Sequence, residues 1–92
     1  MNLNIKHNVN TFETSIGGEE IFLTRMESRL LAALGDYKVH SRSDLMIKVW
    51  KAVPTNKTRT VDVTIGRLKI KMGKAGKRIR TIHGFGYRLD RV

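Results

Sequence analysis

The sequence predicts one small α+β domain, with short antiparallel strands first, then three helices, then a basic β-hairpin. Three observations carry that expectation. Thr24-x-x-Glu27 and Ser41-x-x-Asp44 are helix-opening capping signals. Apolar residues recur at helical spacing from about residue 58. The segment that follows holds strand-type residues interrupted by Gly84-Phe85-Gly86. At 92 residues the chain buries roughly 60 to 65% of its unfolded surface, enough for one core but not for a second core or a deep catalytic cavity.

Residues 1–23 show short alternation, Leu3 with Ile5 and Phe12 with Thr14 and Ile16. A Gly17-Gly18 turn and Ile21-Phe22-Leu23 follow, and the pattern predicts two or three antiparallel strands. A helix over 24–35 puts Met26, Leu30, Leu31 and Leu34 on one face and stops at Gly35. A second helix over 41–50 has Leu45, Met46, Val49 and Trp50 as its apolar side, with Pro54 beyond it in a polar loop over 51–57.

The third helix, 58–73, separates into two faces. At about 100° per residue, Val61, Ile65, Leu68 and Met72 fall within about 60° of one another and form a core stripe. Arg59, Thr60, Val63, Arg67, Ile70 and Lys74 take the opposite side, where a purely solvated face would not need Val63 and Ile70. Residues 78–90 form the hairpin, with Phe85, Tyr87 and Leu89 alternating toward the core. Three helices followed by a basic hairpin make a winged helix-turn-helix outline with an N-terminal antiparallel sheet.

The charge is one-sided. Lys and Arg number 18 against 8 Asp and Glu, for a net charge of +10. Residues 1–46 hold five bases and six acids, whereas residues 47–92 hold thirteen bases against Asp62 and Asp90, a balance of +11. Such asymmetry is the footprint of a polyanionic partner.

Several function classes are excluded. With no cysteine, disulfide scaffolds, thiolate zinc sites and cysteine catalysis are out. His7, His40 and His83 are too dispersed to suggest a metal site. Glu19-Glu20 reads as a charged strand edge and not a catalytic dyad. Gly73-Lys-Ala-Gly-Lys77 reads as a turn: only two residues separate its glycines, and Arg78 stands where a phosphate loop needs a hydroxyl. The N-terminus lacks the apolar region of a signal peptide and the longest apolar run is residues 30–34, so a cytoplasmic protein without a membrane span, enzyme activity or cofactor is expected.

A helix fits the major groove, where Arg pairs bidentately with guanine and an aliphatic side chain packs on a thymine methyl. Arg59, Thr60, Val63 and Arg67 are the right types on the right face of the third helix. Thr64 and Lys71 lie at one edge of that face, and Lys69 and Asp62 on the other flank, with Asp62 expected in a structural ion pair. Gly66 borders the face. Close backbone approach to a ligand and a merely tolerated glycine remain equally open readings of it. Arg78, Arg80, His83 and Arg88 decorate the hairpin, where such arms reach phosphates or a narrow minor groove. With no heptad stripe, the free chain is expected to be monomeric.

Two long segments carry a family resemblance. Arg59-Thr-Val-Asp-Val-Thr-Ile-Gly-Arg-Leu-Lys69 and Thr81-Ile-His-Gly-Phe-Gly-Tyr-Arg-Leu89 resemble the C-terminal effector domain of OmpR/PhoB-type response regulators, and Leu23-Thr24, Glu27, Leu31, Leu45 and Val49-Trp50 match as well. The resemblance spans essentially the whole chain. It implies a four-stranded N-terminal sheet, a third helix that reads double-stranded DNA and a C-terminal hairpin wing. Carried over residue by residue, it gives Arg59, Thr60, Val63, Thr64 and Arg67 major-groove and flanking phosphate positions, Lys69 a backbone position, and Thr81 and His83 wing positions. Lys71, Lys74 and Arg80 join them from the charge pattern. Gly66 and His83 stand where the family often has Arg. The resemblance further implies a head-to-tail pair on tandem half-sites and contact with RNA polymerase through residues 51–57. Family members normally carry a receiver domain before this one, so the chain is expected to be either an excised effector domain or a receiver-less regulator. The rival functions are a protein-binding winged helix docked on an acidic partner such as RNA polymerase, and RNA binding.

Overall fold

The computed structural model describes residues 4–8, 10–51 and 58–91. Strands β1 (Ile5–His7), β2 (Thr14–Ile16) and β3 (Glu19–Ile21) form an antiparallel sheet in the order β1-β2-β3. Among the described residues this sheet has three strands, one fewer than the resemblance implies. Gly17 and Gly18, both at positive φ, make the turn between β2 and β3.

Helix α1 (Arg25–Leu34) starts on a complete capping box. The Glu27 amide donates to Thr24 Oγ1 (3.2 Å), and the Thr24 amide donates to Glu27 Oε1 (2.9 Å). Its apolar face delivers Leu30, Leu31 and Leu34 to the core, with Met26 packed at the edge. The predicted second helix is shorter and less regular than its pattern suggests. Helix α2 is Arg42–Leu45, capped by Ser41 Oγ accepting from the Asp44 amide (3.0 Å), and Met46–Trp50 continues as a wider π-type turn. That widening keeps Leu45, Met46 and Val49 buried and Trp50 against the core. Pro54 and nearly all of the 51–57 loop lie outside the described residues.

Helix α3 (Arg59–Met72) buries the whole stripe Val61, Ile65, Leu68 and Met72. Beyond it, Gly73–Arg78 is a 3₁₀ turn where a simple turn is expected from the glycines. Strands β5 (Ile79–Ile82) and β6 (Gly86–Leu89) form the hairpin. A two-residue strand, β4 (His40–Ser41), extends it into a second sheet ordered β4-β6-β5. Gly86 permits that pairing, because a Cβ there would overlap the His40 carbonyl oxygen.

Two hairpin expectations are corrected. Phe85 is half-exposed, because it belongs to the turn closed by its amide donating to the Ile82 carbonyl (2.9 Å) and so falls outside the strand alternation that buries Tyr87 and Leu89. Arg78 is buried, not a reaching arm: the 3₁₀ turn aims it inward and its Nε donates to the Asp90 carbonyl (2.9 Å).

Candidate nucleic-acid interface

Helix α3 presents Arg59, Ile70, Val63, Arg67 and Thr60 within an arc of about 100° of its circumference, and all five are exposed. Lys74, expected on the same helical face, is exposed instead in the 3₁₀ turn beyond the helix, because Gly73 at positive φ breaks the helical path. Ile70 is 81% exposed, an aliphatic side chain left almost wholly uncovered by the described residues on a cationic face. No acidic residue falls in the arc. Gly66 lies at its border with open space around it: nothing lies within 4 Å of where a Cβ would stand, so internal packing does not require glycine there.

The two flanks of the arc are fastened to neighbouring elements. On one, Lys71 Nζ donates to Glu27 Oε1 of α1 (2.6 Å). Burial alone would raise the Glu27 carboxyl, but the Lys71 ammonium and the Thr24 amide outweigh it and hold the group below its ordinary range. Thr64, expected at the edge of the exposed face, is instead 9% exposed, and its hydroxyl donates to the Thr60 carbonyl (2.8 Å). The helix leans on α1 along this side, so Thr64 packs inward with its donor occupied. Lys71 likewise serves the α1–α3 contact before it serves a ligand.

On the other flank, Asp62 forms the expected ion pair and more. Its Oδ1 accepts from Arg42 Nε of α2 (2.7 Å) and from the Tyr87 hydroxyl of β6 (2.5 Å). The Arg42 guanidinium carbon also sits 5.1 Å from the Tyr87 ring centroid. Burial works to raise the Asp62 carboxyl, yet the Tyr87 hydroxyl and Arg42 hold it below the usual range. Tyr87 is pushed up by burial and by the carboxylate it faces. Lys69, half-buried, lies on this same flank.

Strand register sorts the wing residues. Thr81 pairs with Tyr87, and Arg80 with Arg88. Because Tyr87 reaches Asp62 of α3, the exposed Thr81 lies on the face of the hairpin turned toward α3. Arg80 and Arg88 lie on the opposite face, where both donate through Nε to Asp90 at 2.8 Å. Arg80 is therefore displaced from the site it was expected to join. The hydrogen bond from Arg88 leads, with the charges of both arginines, in lowering the Asp90 carboxyl. His83 is exposed in the wing turn.

Sequence reasoning missed Arg42 and Tyr87 as partners of Asp62. No local pattern joins positions 20 and 25 residues apart. It also missed the buried His40, whose ring nitrogens face Asp36 (2.8 Å) and Asp44 (3.1 Å) while Lys48 pairs with Asp44 (3.0 Å). The His40 hydrogen bond is the leading cause that lowers each of those two carboxyls. Among the described residues no cluster of three or more His, Cys, Asp or Glu could hold a metal ion, and no helix is long and apolar enough to cross a membrane.

The chain is similar to known proteins. Residues 18–89 fit the family described as "Transcriptional regulatory protein, C terminal". The chain is 39% identical over 79 residues to the transcriptional regulatory protein CseB of Streptomyces avermitilis, covering 84% of this chain and 33% of that protein. It is 38% identical over 89 residues to the transcriptional regulatory protein BasR of Escherichia coli K12, covering 94% of this chain and 39% of BasR. The DNA-binding domain of the response regulator AdeR, solved in complex with an intercistronic region, superposes with a TM-score of 0.81 at 28% identity, covering 97% of this chain and 96% of that one. The chain thus spans about a third to two fifths of the length of these regulators and nearly all of the isolated domain. With three helices and two small antiparallel sheets among the described residues and a basic third helix, the chain belongs to this transcriptional regulatory family, as a winged-helix DNA-binding effector domain of the OmpR/PhoB response-regulator type.

Proposed function

We propose that the domain binds double-stranded DNA sequence-specifically, with α3 in the major groove and the wing on the backbone or minor groove. The observation that carries this reading is the exposed arc of α3, where cations, a hydroxyl and unpacked aliphatics share one face while the opposite side is core. Arg59 and Arg67 suit guanine edges, Val63 and Ile70 suit thymine methyls, and Thr60 and Lys74 suit phosphates. Thr81 and His83 extend the contact from the wing. Lys69, Lys71 and Arg80 add to the basic field, and Thr64 supports the face from beneath.

The domain acts as a cytoplasmic, non-enzymatic regulator. The titratable clusters around His40 and Asp62 are closed among their own charges, which suits structural pairing and not proton transfer to a substrate. A transcription role also accommodates a polymerase-facing surface at residues 51–57, as the family likeness implies.

The free chain is monomeric and assembles head to tail on tandem half-sites. Two copies on one side of the duplex require half-sites about one helical turn apart, and inserting about five base pairs rotates one copy to the far side. Gel shifts on the normal and lengthened duplexes test this: cooperative double occupancy is expected on the first and its loss on the second. Unchanged cooperativity would contradict the arrangement. No binding to any duplex at low salt would contradict the function and favour a protein partner for the basic face.

A further inference from the structure

The Asp62 cluster stands at the junction of three elements. Asp62 is in the first turn of α3, three residues after Arg59 and one before Val63. Arg42 opens α2, and its backbone amide also donates to the Phe85 carbonyl of the wing turn (3.4 Å). Tyr87 is delivered by β6, whose close pairing with β4 depends on Gly86. One carboxylate oxygen therefore ties the N-terminal end of α3 to α2 and to the wing. Residues 47–92 hold thirteen bases and two acids, and Asp62 is the acid that borders the exposed arc of α3.

We infer that Asp62 is a positioning residue that sets sequence discrimination: it fixes the roll of α3 against α2 and the wing, and its negative charge opposes purely phosphate-driven binding. The inference rests on the reading of α3 as the DNA-reading helix. A helix held at one roll brings Arg59, Val63 and Arg67 to base edges together, and small misplacements lose bidentate geometry while leaving phosphate contacts nearly intact. The carboxylate repels backbone phosphates, so it costs affinity on every duplex, whereas the register it enforces is realised only on the right one.

The two effects separate in a binding assay on the whole chain. The probes are a duplex obtained by in vitro selection with the unsubstituted protein and a random duplex of equal length. Asp62→Asn is expected to bind random duplex about threefold more tightly and the selected duplex more weakly, so that the preference falls about tenfold or more. Tyr87→Phe keeps the ring and every charge, removing only the hydroxyl that Asp62 accepts from. It is expected to leave random-duplex affinity unchanged and to lower selected-duplex affinity about fivefold. Thermal unfolding of each variant accompanies the titrations, and if Asp62→Asn does not fold, Tyr87→Phe decides. Equal losses on both duplexes, or an unchanged preference, in folded Tyr87→Phe would overturn the positioning role alone. If the unsubstituted chain prefers no duplex, the DNA reading falls and this inference with it.

Discussion

Affinity for double-stranded DNA is expected to fall about a thousandfold between 50 and 200 mM salt. Lys and Arg are concentrated in residues 47–92, but several are held internally: Lys71 by Glu27, and Arg80 and Arg88 by Asp90. Arg59, Arg67, Lys69, Lys74 and Lys77 form no ion pair among the described residues. The two arginines in the groove, the three lysines at the backbone and the wing together displace counterions equivalent to roughly six neutralised phosphates, and a slope of about −5 in log affinity against log salt follows from their release. Fluorescence anisotropy on a labelled duplex at several salt concentrations measures it. A slope near zero would mean that the basic half serves a partner other than DNA.

The second large effect is on stability and tests which side of α3 is core. Leu68 is fully buried and Ile70, two residues on, is 81% exposed. Leu68→Ala should cost about 2 to 5 kcal/mol, from lost transfer energy plus the cavity left behind. For a domain whose whole stability is about 5 to 15 kcal/mol, that is enough to populate the unfolded state visibly. Ile70→Ala should change stability by less than about 0.5 kcal/mol, and its loss should appear only in DNA binding. Urea unfolding followed by circular dichroism compares them. Similar destabilisation by both substitutions would contradict the assignment of the two faces.

What the sequence made legible is what depends on neighbours along the chain. The Thr24–Glu27 box opens α1 as its spacing requires, and the Val61, Ile65, Leu68 and Met72 stripe is buried to the last residue. Local period also separated the exposed arc of α3. It gave no access to contacts set by distant partners. Strand β4 has two residues and exists because β6 is beside it. Thr64 is buried by the approach of α1, and Arg80 is turned away by the hairpin register and Asp90. Phe85 follows its turn and not the strand pattern. The ion pair at Asp62 was legible from its isolation among cations, whereas its partners Arg42 and Tyr87 came only with the fold.

The central claim is that α3 reads base edges, and Arg67→Ala tests it most directly. Arg67 is exposed within the arc, where a bidentate contact to guanine would be worth about 1 to 3 kcal/mol of discrimination. Affinities of Arg67→Ala and Lys74→Ala are to be measured on a selected duplex and on a random one. The account predicts that Arg67→Ala loses most of its affinity on the selected duplex and little on the random one, while Lys74→Ala weakens both alike. Equal losses on the two duplexes for Arg67→Ala would show a phosphate anchor in place of a base reader and contradict the claim.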